Sequence, residues 1–358
     1  MSRYSVIKAT GCYIPEVVVK NEDFLTNKFF EKDGTLVNKP NEEIIKKFED
    51  ITTIQERRYA PDNLLTSDIA TLAAENALRS SKIDPETLDY IIVAHNFGDV
   101  RADNKQVDIV PALAARVKYN LKIQNPYCVA YDVIFGCPGW LQGVIQADYY
   151  IRSGQAEKVM VIGAEILSRV TDPHDRDTML YADGAGAVIL EAVESEEPVG
   201  IIKHKTRSDT YQYSKMLLMD KSYNPEAATL TDFFLKMNGR RLYQYALSNV
   251  PDAVKSCMDE AGVSITEVKK FLIHQANGKM DDAILQRIYK LYNITDIPEN
   301  IMPMTVQKYG NSSVATLPTL LDLILKKQLP PHEIRKGDLV VLASVGAGMN
   351  INAVIYKF

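Results

Sequence analysis

The chain of 358 residues lacks any apolar run near the roughly 18 to 20 residues that a membrane span requires, and its opening stretch, MSRYSVIKATGCYIPE, has no apolar core of a secretory signal. The expected setting is the cytoplasm, with no membrane partner. Cysteine is scarce: Cys12, Cys128, Cys137 and Cys257 are too few and too scattered for a disulfide framework in a chain of this length. His174, His204 and His332 sit in polar segments without metal-ligand spacing to one another or to cysteine, so no zinc site is expected. Basic blocks are also missing. Lys and Arg number 41 against 46 Asp and Glu, a net charge of -5, and the longest charged region, Glu42 to Arg58, mixes both signs. That balance speaks against a nucleic-acid partner. What remains is 46% hydrophobic and 24% charged, the ordinary composition of a globular protein with a sizeable core, which excludes disorder, collagen and coiled coil.

Along the chain one arrangement occurs twice. The helical stretch Ser67 to Ser81 gives way to the turn signal Asp84-Pro-Glu-Thr and the apolar run Tyr90-Ile-Ile-Val-Ala. In the second half an amphipathic stretch from Thr231 to Ala261 leads to Gly262, a capping box at Ser264 to Glu267, and the run Phe271-Leu-Ile. Each run ends near a histidine and an asparagine, AHN at 94–96 and HQAN at 274–277. Later, FGCPGW and YGNSS each open a helix-like segment, and each is followed by a short apolar run suited to a sheet covered on both faces. The order indicates a duplication, with halves 1–196 and 197–358 joined at the acidic segment Glu194 to Gly200. Two similar α/β halves packed face to face would let loops from both meet in one cleft.

Three residues stand where such loops begin. Cys137 follows a strand-like segment and precedes Pro138, so it would sit over the free N–H groups and positive dipole end of a helix, a setting that stabilises a thiolate. Gly136 and Gly139 beside it would let a substrate approach the sulfur. A buried structural cysteine is the bland alternative, and the other three cysteines keep it. His274 ends the Phe271 run, where a neutral imidazole can exchange a proton or donate a hydrogen bond to a carbonyl; His95 is its rival at the matching position. Asn311 suits a helix N-cap beside Gly310, or equally a neutral amide donor to a developing oxyanion.

FGCPGW, IHQANGK and YGNSSVATLP, in that order, resemble the Cys, His and Asn motifs of the thiolase-fold condensing enzymes, most closely ketoacyl-ACP synthase III. Similarity extends to Ile54-Gln-Glu-Arg-Arg-Tyr, to Leu167 through Arg176, and to Asp183-Gly-Ala-Gly-Ala, nearly end to end. The resemblance implies a thiolase-like fold, a five-layered αβαβα sandwich, and decarboxylative condensation of an acyl thioester held on Cys137 with a malonyl thioester, with no metal or organic cofactor required. His274 and Asn311 would support the enolate, and the amides of Cys137 and Ala347 would form the oxyanion hole. Arg176, Asn277 and Lys279 would contact substrate or carrier. The implied partners are an acyl-CoA or acyl-ACP donor, malonyl-ACP, the acyl carrier protein itself and a second copy of the chain, with residues 94–110 reaching toward the partner's acyl tunnel. Its floor would lie on the Phe97 to Val110 side.

Departures from the family pattern bear on the donor. Lys47 occupies the place of the Trp that, with the Arg matched by Arg176, usually clamps adenine; Lys279 replaces the usual Arg after HQAN; the last loop reads Val345-Gly-Ala-Gly-Met-Asn; and the segment Asn21 to Asp50 is longer than usual. Three functions follow from this reading: a ketoacyl-ACP synthase III that starts fatty-acid synthesis, a specialised relative taking a longer, carrier-bound or keto-acid substrate, and a non-catalytic acyl-binding subunit.

Overall fold

A computed structural model describes residues 1–227 and 232–358. The first half builds a five-stranded sheet from β1 (Ser2–Tyr13), β2 (Tyr90–Ala94), β3 (Val129–Val133), β4 (Lys158–Ile166) and β5 (Asp183–Ser195), in the order β1-β5-β4-β2-β3. Its first two pairings are antiparallel, and β4, β2 and β3 run parallel. The second half places β6 (Gly200–Ser208) in another sheet, then adds a hairpin of β7 (Leu217–Asp220) and β8 (Phe234–Met237). With β9 (Val268–Ile273), β10 (Leu339–Gly346) and β11 (Asn350–Lys357), that sheet has the order β6-β11-β10-β9, again two antiparallel pairings followed by a parallel one. The Phe271 N–H donates to the Ile301 carbonyl on the far side of β9, where the first sheet carries its fifth strand.

Strand sequences explain how the sheets stack. Successive side chains point to opposite faces, so a strand covered on both sides must be apolar at every position. On β2, Ile91 and Val93 join one core while Ile92 and Ala94 join another; on β10, Val340 and Leu342 divide from Val341 and Ala343 in the same way. Helices supply the matching layers: α1 (Asn41–Thr52), α2 (Thr66–Ser81), α3 (Leu113–Asn120), α4 (Gly139–Arg152), α5 (Gly239–Ala261), α6 (Gly278–Leu291) and α7 (Thr316–Leu325). The small face of α2, with Ala70, Ala73, Ala74 and Ala77, and α3 cover the outside of the first sheet. α4 and α7 fill the space between the sheets through Trp140, Leu141, Val144, Leu317 and Leu320, and α5 and α6 cover the second sheet. The result is the five-layered αβαβα thiolase-like architecture.

One expected element changes. Thr231, where the amphipathic stretch begins, lies outside the described residues, and Phe234–Met237 is the strand β8, not the start of a helix. Phe234 and Lys236 are buried on one face while Leu235 and Met237 line a cavity on the other, a period of two that overrides the helical spacing. The helix begins only at Gly239, after Asn238 caps it by accepting from the Arg241 N–H.

The long segment before Asp50 packs as its own small core. Phe24, Phe29, Ile44 and Ile45 close over Met179, while Leu25 stays exposed. Beneath them Arg57 is fully buried. Its guanidinium donates to the Met179 and Val19 carbonyls and to Asn21 Oδ1 at 2.6–3.1 Å and stacks 5.0 Å from the Phe24 ring. Burial lowers its pKa to about 10. These bonds anchor the segment to the loop after β4.

Candidate active site

A cavity of about 940 Å³ opens between the halves, with Cys137, His274 and Asn311 all on its wall. Each is delivered by a loop at the end of a strand or the start of a helix. Cys137 stands between β3 and α4, and Gly136 before it has φ +67°. A Cβ on Gly136 would lie 2.6 Å from the Ala347 nitrogen, and one on Gly346 would lie 2.5 Å from the Cys137 nitrogen. The two loops therefore pack backbone against backbone across the pseudo-repeat, and neither position tolerates a side chain. This corrects the expectation that Gly136 and Gly139 make room for substrate. Gly136 makes room for Ala347, and Gly139 faces Ala94 and Val314.

Among the described residues the Cys137 N–H meets no backbone acceptor, so it remains available beside the Ala347 loop. Burial pushes the thiol up to about 11, while the Ser313 hydroxyl, donating to Sγ over 3.4 Å, pulls it down. The N-terminus of α4 acts in the same direction as Ser313, because a positive dipole end favours the thiolate. Cys12, Cys128 and Cys257 lie away from this cavity, and their thiols are also raised by burial.

His274 follows β9, with its N–H bonded to the Ala343 carbonyl at 2.8 Å. Its ring is almost wholly buried and Nδ1 has no hydrogen-bond partner, so desolvation lowers its pKa to about 4 and the imidazole is neutral. The rival, His95, is absent from the cavity wall. Its Nδ1 accepts from the Gly98 N–H and its Nε2 faces Asp132 Oδ2, both at 3.0 Å, which leaves no free nitrogen.

Asn311 combines both readings. Its backbone bridges Leu180 and Ala182, and Oδ1 accepts from the Ser313 N–H at 2.9 Å, as a turn-forming residue would. No hydrogen bond of Nδ2 is present among the described residues, leaving an amide donor on a residue of the cavity wall. Opposite, an apolar wall comes from Leu217, Leu218, Met219, Leu235 and Met237 of the hairpin, with Phe48 and Ile51 of α1.

The remaining expected residues divide. Asn277 lines the cavity and caps α6, accepting from the Met280 N–H at 3.1 Å. Lys279 is exposed on the first turn of α6 and Lys47 on α1, both off the wall. Arg176 is also outside, tied to Glu31 of the long N-terminal segment at 2.9 Å. Phe97 does line the cavity; Val107, Ile109 and Val110 are exposed. Three further residues are on the wall: Asp177, whose carboxyl is raised to about 7 by burial and by Asp175 and which no motif marks, and Asn96 and Ser313, which stand in the AHN and YGNSS motifs without a role assigned from sequence. No cluster of metal-binding side chains occurs among the described residues, and no described helix is long and apolar enough to cross a membrane.

Two family descriptions match the chain: 3-oxoacyl-(acyl-carrier-protein) synthase III over residues 131–210, and the C-terminal part of the same enzyme over residues 258–358. Beta-ketoacyl-(acyl-carrier-protein) synthase III of Erythrobacter litoralis is 31% identical over 356 residues, and that of Brucella anthropi 31% over 363, each spanning 99% of both chains. Among solved structures, 3-oxoacyl-(acyl-carrier-protein) synthase III of Aquifex aeolicus superposes with a TM-score of 0.79 at 29% identity, over 99% of this chain and 100% of that one. The Thermus thermophilus counterpart gives 0.80 at 30% identity, over 99% of each.

Proposed function

The chain belongs to the 3-oxoacyl-(acyl-carrier-protein) synthase III family of acyltransferases, and on that premise we propose that it condenses an acyl thioester with malonyl-ACP through a covalent intermediate on Cys137. In the first half-reaction the Cys137 thiolate attacks the donor carbonyl. The Sγ–C bond forms, the donor's C–S bond breaks, and the CoA or carrier sulfur leaves as a thiolate that takes up the proton Cys137 gave up on ionising. The Cys137 N–H and the Ala347 N–H would hold the oxyanion. In the second, malonyl-ACP loses carbon dioxide while a neutral His274 and the Asn311 Nδ2 donate hydrogen bonds to the thioester oxygen as the enolate develops. The resulting carbanion attacks the acyl group, a C–C bond forms, and Cys137 is released.

The observation that carries this reading is that the three side chains, drawn from loops on both halves, line one cavity. His274 suits the role because its neutral imidazole carries one N–H, able to donate to the thioester oxygen. Lys279, exposed at the start of α6, would offer the acidic carrier a positive contact, and Asn277 would face the arm it delivers. Arg176 would have to leave Glu31 to reach a nucleotide.

A short acyl-CoA would make this a starter of fatty-acid synthesis. A longer or carrier-bound donor is the second reading, and the cavity favours it. Its volume, about 940 Å³, stands near the top of the roughly 300–1,000 Å³ usual for ligand pockets, and its hairpin wall is aliphatic. Retention of the cysteine argues against a non-catalytic subunit. The test is to supply acyl-CoAs and acyl-ACPs of increasing length with malonyl-ACP and to measure 3-ketoacyl-ACP and carbon dioxide. Product from at least one donor is expected, the preferred chain and carrier choosing between the two readings; no product with any donor would remove the proposal. A homodimer built on the exposed edge of the first sheet completes the proposed assembly.

A further inference from the structure

Cys137 is held by more than its own loop. Ser313 Oγ lies 3.4 Å from Cys137 Sγ, Asn96 Nδ2 lies 3.2 Å from Ser313 Oγ, and the same Nδ2 lies 2.6 Å from Glu165 Oε2. The Asn96 backbone N–H adds a bond to Glu165 Oε1 at 3.2 Å. Glu165 is completely buried near the end of β4, Asn96 follows β2, and Ser313 precedes α7, so the chain of contacts joins both halves behind the sulfur. We infer that Glu165, Asn96 and Ser313 are positioning residues that direct the Ser313 hydroxyl proton onto Cys137 Sγ and so favour the thiolate.

Hydrogen-bond polarity makes the case. An ionised carboxylate only accepts, so the end of the Asn96 amide that meets Glu165 must be the NH₂. That NH₂ has a second hydrogen, which points to Ser313 Oγ and makes the hydroxyl an acceptor there. Ser313 has one proton of its own, and the sulfur is the partner left for it. Were the Asn96 amide reversed, its oxygen would take the Ser313 proton and the sulfur would lose its donor. Glu165 therefore sets, through Asn96, the direction of a bond it does not touch. Two N–H donors on one carboxylate favour the ionised state that this requires, against the burial that raises Glu165 to about 7; once ionised, its charge raises the Cys137 thiol, so what favours the thiolate is the Ser313 proton it directs and not the carboxylate itself.

Ser313 is itself fixed. It sits at φ 54°, a left-handed conformation uncommon for a residue with a side chain, and its N–H is held by Asn311 Oδ1. One residue thus orients the Asn311 amide with its backbone and the Cys137 sulfur with its hydroxyl. What separates it from an ordinary buried serine is its hydroxyl, which meets Asn96 and Cys137 from the other half and no group of its own turn.

This inference rests on Cys137 being the nucleophile, but its test requires no turnover. The rate of Cys137 alkylation, followed from pH 7 to pH 10 by peptide mass spectrometry with iodoacetamide and with the bulkier iodoacetanilide, reports the thiolate fraction below the thiol midpoint. In Ser313→Gly, which removes the hydroxyl without straining φ, both reagents should react roughly tenfold more slowly at every pH in that range. Asn96→Ala, which takes away the donor that turns the Ser313 hydroxyl toward the sulfur, should slow both in the same way and leaves in place the Glu165 carboxylate, whose charge raises the thiol. Equal slowing of the two reagents marks a smaller thiolate fraction. Wild-type rates in the two variants would overturn the inference, as would slowing that differs between the reagents, which marks altered packing. If one variant fails to fold, the other decides. Failure here leaves acylation of Cys137 standing, and failure of acylation leaves the alkylation rates readable.

Discussion

His274 shows what burial does to a single side chain. No charge partner compensates its ring, so the protonated form is penalised and the pKa falls from the usual 6.5 to about 4. In the unfolded chain the same ring protonates near its ordinary value. Protons therefore bind the unfolded state more readily, and the stability His274 contributes is present above about pH 6.5 and lost as pH falls toward 4. His204 and His332 are lowered in the same sense. Following the His274 ring carbon by NMR should give a midpoint near 4; a midpoint near 6.5 would mean that water or a carboxylate reaches the ring. At this scale the sequence presented pairs of readings that only geometry separates. His95 and His274 look equivalent in AHN and HQAN, yet one spends both nitrogens on Gly98 and Asp132. Asn311 was legible as turn former or donor and serves the first role with Oδ1 while keeping Nδ2 free for the second. Ser313 and Glu165 were not legible as a pair, because 148 positions of chain separate them and their link runs through a side-chain amide.

Elements were easier to read where both faces of a strand are buried. β2, β9 and β10 stand out as short apolar runs, and the caps at Asp84 and Ser264 appear where turn and capping signals stand, whereas the cap at Asn277 was not read. β8 was hidden because Phe234 and Met237 fall three apart and merge with the amphipathic pattern of α5; only its pairing with β7 makes the period two. The hairpin that results forms the apolar wall of the cavity, so the missed element is also one that shapes the candidate site. β3 is an edge of the first sheet, and around it Val110, Tyr119, Tyr127 and Ile134 are 64–85% exposed. An edge strand flanked by large apolar side chains invites pairing with another chain. Sedimentation velocity at micromolar concentration should return twice the chain mass, and substituting Asp for Tyr127 and Ile134 together should lower it. A monomer across the concentration range would contradict the proposed dimer.

For the whole molecule, the duplication has a chemical use. The first half brings a cysteine at a helix start, the second brings a histidine at a strand end and an asparagine at a loop, and the close packing of Gly136 on Ala347 and Gly346 on Cys137 holds them in one cavity. Neither half alone contains the set. Order of elements made the duplication readable, since strand, loop and helix recur with similar spacing; the segment Asn21 to Asp50 has no counterpart in the repeat, and its role as a separate small core over Met179 emerged only from packing. The proposed function requires that this assembly work through an acyl group on one sulfur. Intact-mass and peptide mass spectrometry after incubation with the acyl-CoA and acyl-ACP panel test it directly. A single acyl adduct on Cys137, absent from Cys137→Ala and discharged when malonyl-ACP is added, is the expected result; no adduct with any donor, or one that persists in Cys137→Ala, would contradict it.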